Sequence, residues 1–400
     1  MKILVINCGS STIKFQLYNM DNNEVIAKGR CDKIGVESSN LIYKNVRDNI
    51  SYVRPEPMNN HKEAMEVLIR HLTDNKEGVI TNFDDITAVG HRVVHGGEKF
   101  SKAVLVDEAV INEIDKLSDI APLHNPAAIM GIRTILEINK NMRNIAVFDT
   151  AFHQTIPVYN YLYAIKREFY EKYGIRRYGF HGTSYIYILN RLSEILDKPK
   201  SEINAIVCHL GGGASICAIK HGVSHDTSMG FSPLEGLVME TRCGDLDPAI
   251  VTKLMEKENL SIQEVNDLLN KESGRFGICG IGDERQVIAE ANSGNAKAIL
   301  ARQIQTNRTK KYIGAYMAEL NRVDAIVFTG GIGENNFCER DMTLCDMEYL
   351  GIKIDKERNL SGSAKEALIS RDDSRIPIYV IPTDEELEIA NQTEQICHEC

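Results

Sequence analysis

No apolar run in the sequence approaches the length of a membrane span. The purely aliphatic stretch nearest the N-terminus is Ile3-Leu4-Val5-Ile6, against roughly 18 apolar residues for a spanning helix, and it is also too short for a secretory core. The expectation is a cytoplasmic protein with no membrane partner. An excess of positive charge is missing too. Lys and Arg total 46 against 56 Asp and Glu, a formal net charge of −10, and a field of that sign disfavours nucleic acid as a partner. Nor is there a dense cysteine framework. Ten Cys are scattered from Cys8 to Cys400, and in a reducing compartment free thiols are expected. The terminal Cys397-His398-Glu399-Cys400 has metal-like spacing, but the second pair that a zinc site needs is lacking. No Pro/Ser-rich linker or low-complexity tract interrupts the 400 residues, so two or three domains joined by short connections are expected.

What the sequence does contain is a repeated grammar of strand, glycine turn and strand. Residues 2–7 lead through Cys8-Gly9-Ser10-Ser11 into residues 12–18, where Ile13, Phe15 and Leu17 alternate with Lys14 and Gln16. The same order returns at residues 205–210, Gly211-Gly212-Gly213 and residues 214–220, which reads as an internal duplication. A third apolar strand, 325–329, runs into Gly330-Gly331-Ile332-Gly333-Glu334-Asn335, read as a third glycine loop where backbone can approach an anion. Helices are expected at 107–117, at 125–138 with Pro126 in the first turn, and at 296–320, where Ile313, Tyr316, Met317 and Leu320 follow core spacing. An apolar strand at 376–381 and a final helix from about Asp384 close the chain. Strands alternating with helices indicate α/β architecture, in which ligands collect at the carboxyl ends of strands.

The residues able to do chemistry lie at those ends. Glycine turns let several backbone N–H groups face one oxyanion, and these loops match neither the Walker A nor the dinucleotide fingerprint. Arg92, inside the apolar segment 90–97, requires an anion. An internal carboxylate and a bound ligand are both open, and Arg242 in Thr241-Arg242-Cys243-Gly244-Asp245 strengthens the second reading because guanidinium forks match carboxylate and phosphate oxygens. Asp149 follows the apolar run 145–148 at a ligand-facing position, and His181 sits between glycines where it could serve as a donor beside a substrate. His124, in a Pro-flanked loop, is either a substrate contact or a polar cap. Glu385-Glu386 is either a favourable helix N-terminus or a holder of Mg²⁺ by one carboxylate and waters.

With these segments in place, the sequence resembles the acetate kinase family, of the acetate and sugar kinase, Hsp70 and actin superfamily. The likeness spans essentially the whole chain. It rests on Val5-Ile6-Asn7 with Gly9-Ser10-Ser11, on residues 90–98, 148–154, 177–184 and 241–248, on the loops at 209–215 and 330–335, and on 382–386. It implies an α/β, duplicated actin-like (ribonuclease H-like) two-domain fold with an interdomain cleft. Residues 1–150 plus 385–400 would form the N-terminal domain and 151–384 the C-terminal, nucleotide-binding one. It further implies ATP/ADP as co-substrate, Mg²⁺ with Mn²⁺ able to replace it, reversible conversion of acetate into acetyl phosphate, and a homodimer.

Residue by residue, the resemblance assigns Asn7 and Glu385 to the metal, Lys14 to nucleotide phosphate and Arg92 to the acyl substrate. Asp149 matches the acid/base residue, and His181 and Arg242 the transition-state stabilisers. His209, Leu210, Gly211, Gly212 and Gly213, then Asp283, Glu284 and Arg285, then Gly331, Ile332, Gly333, Glu334 and Asn335 match the nucleotide segments. Val94, Leu123, Phe180 and Pro233 match the apolar pocket for the acetate methyl. Acetate is ionised at neutral pH and needs no base to become nucleophilic, so Asp149 is kept as a catalytic residue that either acts as that acid/base or orients metal and water. Four positions depart from the family's pattern: Gly212 stands where Asn is common, Tyr185 where His is frequent, Glu240 where Gly is customary, and Glu284 where an apolar residue is usual. Propionate is the second acceptor to consider, since one methylene changes discrimination by only about 1–3 kcal/mol. A sugar or polyol kinase with Asp149 as base, and a non-catalytic nucleotide switch, are the other readings.

Overall fold

The computed structural model describes residues 1–122 and 124–399; Leu123 of the apolar set and Cys400 of the terminal pair lie outside the described residues. The chain divides into two compact units, Met1–Phe152 with Asp384–Cys400, and His153–Thr383.

The first unit is built on an eight-stranded sheet of β1 (Lys2–Cys8), β2 (Ile13–Asn19), β3 (Glu24–Asp32), β4 (Asn40–Asn45), β5 (Ile50–Pro55), β6 (Ala88–Val93), β7 (Val104–Leu105) and β8 (Arg143–Phe148), in the order β5-β4-β3-β2-β1-β6-β8-β7. β1 is aliphatic at four consecutive positions because both of its faces are covered. Leu4 and Ile6 pack with Met65, Leu68 and Ala127, whereas Ile3 and Val5 pack with Ile389 and Ala390 of the C-terminal helix Glu385–Glu399. On β2 the face of Ile13, Phe15 and Leu17 is buried throughout, whereas the other runs from exposed Lys14 to Tyr18, which is buried with Ile3 and Val5. The helix Asn125–Ile138 begins with Pro126 in its first turn, where proline's missing N–H has no intrahelical partner to lose. Glu108–Lys116 is capped by the Asp107 side chain, which accepts from the Val110 N–H at 2.8 Å.

The second unit repeats this plan. Its strands are β9 (Ala205–Leu210), β10 (Ala214–Lys220), β11 (Val223–Thr227), β12 (Ala325–Thr329), β13 (Ala367–Leu368) and β14 (Ile378–Val380), ordered β11-β10-β9-β12-β14-β13. That order superposes on β3-β2-β1-β6-β8-β7, and every pairing has the same sense. The first two pairs are antiparallel, the next two parallel and the edge pair antiparallel. This is the duplicated, actin-like α/β plan. The helix Ala296–Leu320 buries Ile313, Tyr316 and Leu320, with Met317 half-buried.

Two expectations need correction. Residues 330–335 form a short helix, Gly330–Asn335, rather than an open loop. Its turn is tied by Glu334, whose Oε1 accepts from the N–H groups of Gly330 at 2.9 Å and Thr383 at 3.0 Å. The strand expected at 376–381 is only Ile378–Val380, since its neighbours β12 and β13 pair no further. The nine described cysteines are free thiols. Among the described residues no helix is long and apolar enough to cross a membrane.

Gly90 on β6 faces the C-terminal helix so closely that a Cβ there would stand 2.9 Å from Ile389 Cγ2 and closer still to Thr393 Oγ1. Gly90→Ala is therefore expected to destabilise the protein by about 1–3 kcal/mol through overpacking, read as a lower Tm. Adding Thr393→Ala, which removes the nearest atom, should restore part of it. An unchanged Tm in the single variant would show that the helix is not seated on β6 as described.

Candidate active site

In the first unit β1, β6 and β8 are parallel and in register, Val5 beside Gly90 and Gly90 beside Ile145, so their carboxyl ends finish at one level. Asn7 lies there on β1, directly across the hairpin from Lys14 on β2. Arg92 comes from β6 and Asp149 from the residue after β8. The structure gives Arg92 an internal anion. Its Nε donates to Asp149 Oδ1 at 3.0 Å and Oδ2 at 3.2 Å, and its Nη2 to Oδ2 at 2.6 Å. Asp149 is 1% exposed and Arg92 22%. Burial alone would push Arg92 down, but the carboxylates of Asp149, Glu385 and Glu386 outweigh it and hold the guanidinium above its usual value. Of the two partners open to Arg92, the internal carboxylate is thus present, and Arg92 also borders a cavity of about 360 Å³. That cavity is lined by Asn7, Ser10, Lys14, Arg92, Val94 and His124 among others. His124 occupies the position before the helix Asn125–Ile138 without capping it.

Glu385 begins the C-terminal helix. Its Oε1 is enclosed and has no hydrogen-bond partner among the described residues. Burial raises its pKa, with Asp149 adding to the effect and Arg92 and Lys14 opposing it. An orphaned carboxylate oxygen suits a hard cation that takes only one or two protein carboxylates and keeps its waters, as Mg²⁺ does. Asn7 offers a neutral oxygen at the end of β1. Among the described residues no cluster of three or more His, Cys, Asp or Glu is arranged as a metal cage.

The second unit gathers a different set. His181 has left-handed backbone, φ +60°, and starts the helix Gly182–Leu196. Its Nδ1 pairs with Ser215 Oγ at 2.8 Å, and the same hydroxyl is held by Tyr185. The His209 ring stacks on His181 at 4.2 Å between centroids, and His209 Nδ1 pairs with Ser184 Oγ at 2.9 Å. Arg242 donates from Nη1 to the Pro233 carbonyl at 3.3 Å. It has no carboxylate partner among the described residues, and burial pushes its pKa down. A Cβ on Gly213, in the β9–β10 turn, would stand 3.6 Å from Arg242 Nη1 and 3.8 Å from His181 Nε2. Arg242 and His181 therefore converge on the turn at Gly213, with Leu210 buried at the end of β9.

The remaining candidates are spread more widely. Asp283 caps the helix Glu284–Asn292 and pairs with the exposed Arg285 at 3.1 Å. Glu284 turns inward instead, to the buried Arg275 and to Asn336 Nδ2 at 2.8 Å, so its carboxylate supports the segment. Gly331 faces open space, whereas Ile332 and Gly333 are buried. Asn335 Nδ2 donates back to the Gly331 carbonyl at 2.8 Å. Val94 belongs to the first unit's cavity, and Phe180 and Pro233 adjoin His181 and Arg242 in the second. Ser215, Ser184 and Arg275 were not singled out from sequence. Only Tyr185, one helical turn after His181, gave a signal of the support they provide.

Fold and site together define a kinase of the acetate and sugar kinase type. The Acetokinase family matches residues 2–391. The acetate kinase of Caldanaerobacter subterraneus subsp. tengcongensis is 51% identical over 399 residues, 99% of each chain. That of Halothermothrix orenii is 49% identical over 397 residues, again 99% of each. Among solved structures, Porphyromonas gingivalis acetate kinase aligns with a TM-score of 0.95 at 42% identity over 99% of both chains. A propionate kinase from Francisella tularensis aligns with a TM-score of 0.93 at 41% identity, also over 99% of both. The chain belongs to the acetokinase family.

The raised pKa of Glu385 carries a sign. Such a carboxyl favours folding while protonated; that stabilisation is present below about 4.5, its ordinary value, and is lost as pH rises through the raised folded value. Glu385→Gln is therefore expected to unfold at a higher temperature than the parent near neutral pH without divalent cation, the difference shrinking as pH falls toward 4.5. Thermal unfolding across pH checks this, and a difference independent of pH would contradict it.

Proposed function

We propose that the protein is an acetate kinase, transferring the γ-phosphoryl group of ATP reversibly and directly to acetate to give acetyl phosphate and ADP. The observation that carries this reading is the convergence of Arg242 and His181 on the glycine turn at Gly213, with no carboxylate partner for Arg242 among the described residues. A desolvated guanidinium beside an imidazole and a glycine turn is suited to an oxyanion whose charge is spread in the transition state. Near 50% identity to curated acetate kinases over nearly the whole chain supports the same reading.

In the reaction a carboxylate oxygen of acetate attacks the γ-phosphorus as the bond from phosphorus to the β,γ-bridging oxygen breaks. The electron pair leaves on ADP, and no proton need move. Arg92 offers the acyl carboxylate the edge of its fork that Asp149 does not use, and Val94 offers the methyl an apolar neighbour. The family resemblance assigns Phe180, Pro233 and Leu123 to the same methyl group. Asp149 positions Arg92 rather than serving as a base, because both of its oxygens already accept from that guanidinium. Lys14, the turn at 211–213 and the segments Asp283–Arg285 and Gly331–Asn335 are assigned to the nucleotide. Asn7 and Glu385 would hold Mg²⁺, which when bound supplies charge neutralisation to the phosphates. The two domains are read as 1–150 with 385–400 and as 151–384, in a cytoplasmic homodimer. Gel filtration tests the oligomer.

Incubation with ATP, Mg²⁺ and acetate, with trapping of acyl phosphate as hydroxamate, should give product that is absent with ATP alone and with glycerol or glucose in place of acetate. ATP turnover independent of acetate would overturn the assignment. Propionate is the acceptor to compare, given the propionate kinase among the structural neighbours. Arg92→Lys keeps a charge for Asp149 but loses the fork, so it should raise the acetate KM about tenfold with little change in kcat. Arg242→Ala should lower kcat by about 100-fold or more. Equal, small effects from both variants would count against these roles.

A further inference from the structure

Glu240 presents a carboxylate that the roles above do not use. Its backbone is held on both sides, the N–H donating to the Gly212 carbonyl at 3.2 Å and the carbonyl accepting from the Phe276 N–H at 2.9 Å. The side chain reaches from there into the gap between the β9–β10 turn and the segment 280–282. Oε2 lies 3.1 Å from where a Cβ on Gly212 would stand, and Oε1 lies 2.9 Å from where one on Gly282 would stand. Glycine at both places is what leaves room for the two oxygens. The residue is half-exposed, and neither oxygen accepts a hydrogen bond from the protein among the described residues. It is an open, charged, two-oxygen acceptor fixed at its base.

Its place along the site limits what it can accept. On one side lies the turn whose Gly213 end faces Arg242 and His181, the anion-seeking end. On the other, Gly282 directly precedes Asp283, with Arg285 in the first turn of the helix Glu284–Asn292. A nucleotide laid with its phosphates at the first and its base at the second has its ribose between them. Phosphate is repelled from a carboxylate, whereas the two neighbouring hydroxyls of a ribose are donors that a carboxylate with two free oxygens can take together. We propose that Glu240 accepts the ribose hydroxyls of the phosphoryl donor, so that this chain selects a ribonucleotide over a deoxynucleotide or bare polyphosphate. The proposal rests on the nucleotide reading above and adds the sugar to it.

The test compares kcat/KM for ATP and 2′,3′-dideoxy-ATP at saturating acetate, with tripolyphosphate as a third donor, in the parent enzyme, Glu240→Gln and Glu240→Gly. The parent should favour ATP by about 10- to 100-fold, the range of one or two hydrogen bonds to a charged group. Glu240→Gly should use ATP about as poorly as the parent uses the dideoxy compound and should discriminate less than about twofold. Glu240→Gln, with a neutral acceptor of the same shape, should fall between, and the acetate KM should stay constant. Unchanged discrimination in Glu240→Gly would overturn the proposal, as would faster use of ATP and tripolyphosphate by that variant, which would mark the carboxylate as an obstruction. A parent enzyme that makes no acetyl phosphate from ATP would overturn the nucleotide reading itself. An active parent indifferent to the hydroxyls would overturn this proposal alone.

Discussion

A guanidinium withdrawn from water must meet an anion, and the two units satisfy that requirement in opposite ways. Arg92 meets Asp149 through three N–H···O contacts between 2.6 and 3.2 Å. The pair fixes the fork's plane through Nε and Nη2, and Arg92 also lines the cavity. Removing either member of such a buried pair strands the other, typically at 3–5 kcal/mol, so the carboxyl end of β8 and the end of β6 are locked to each other by charge as well as by strand pairing. Among the described residues Arg242 has the Pro233 carbonyl at 3.3 Å and the Met239 sulfur at 3.6 Å, and no carboxylate. A cation in that condition is a standing demand for charge from outside the protein, which is why it carries more functional information than the better-bonded Arg92.

The neighbourhood of Arg242 is held under strain. His181 adopts φ +60° without being glycine, a conformation disfavoured by about 1–2 kcal/mol. The surrounding structure enforces it: the helix begins at the next residue, Ser215 fixes one ring nitrogen, Tyr185 fixes Ser215, and His209 stacks on the ring. The left-handed turn thereby aims Nε2 at the glycine turn instead of along the helix. Ser215 comes from β10 and Ser184 from the helix, so the two imidazoles are oriented by hydroxyls from two different elements.

Much of this fold is legible in the sequence because its central strands are buried on both faces. Ile3-Leu4-Val5-Ile6 and Ala325–Thr329 show that as unbroken apolar runs, and the glycine turns between antiparallel strands repeat the signal half a chain apart. The long helix Ala296–Leu320 is equally plain from its spacing. Legibility ends where partners are distant. That Arg92 pairs with Asp149, 57 residues on, could not be told from Arg92 awaiting a ligand, since both readings need only one nearby carboxylate. Residues 330–335 read as a loop because glycine disfavours helix locally; the Glu334 bond to the Thr383 N–H, 49 residues away, is what makes the turn hold.

Two segments with almost the same sequence show how little the local pattern decides. Asp283-Glu284 and Asp384-Glu385 each place an Asp ahead of a helix and a Glu at its first position, and in both the Asp accepts from backbone N–H groups of the first turn. Burial raises both glutamates. Glu284 then finds Arg275 and Asn336, and its charge is spent inside the fold. Glu385 finds Arg92 only as a neighbour already engaged by Asp149, and its Oε1 is left unmatched. An enclosed oxygen without a donor is unfavourable in every state of the protein except one in which a cation or a proton reaches it. The same dipeptide thus has its glutamate paired inside the fold in one unit and left unmatched in the other, according to whether a guanidinium is within reach and still unclaimed.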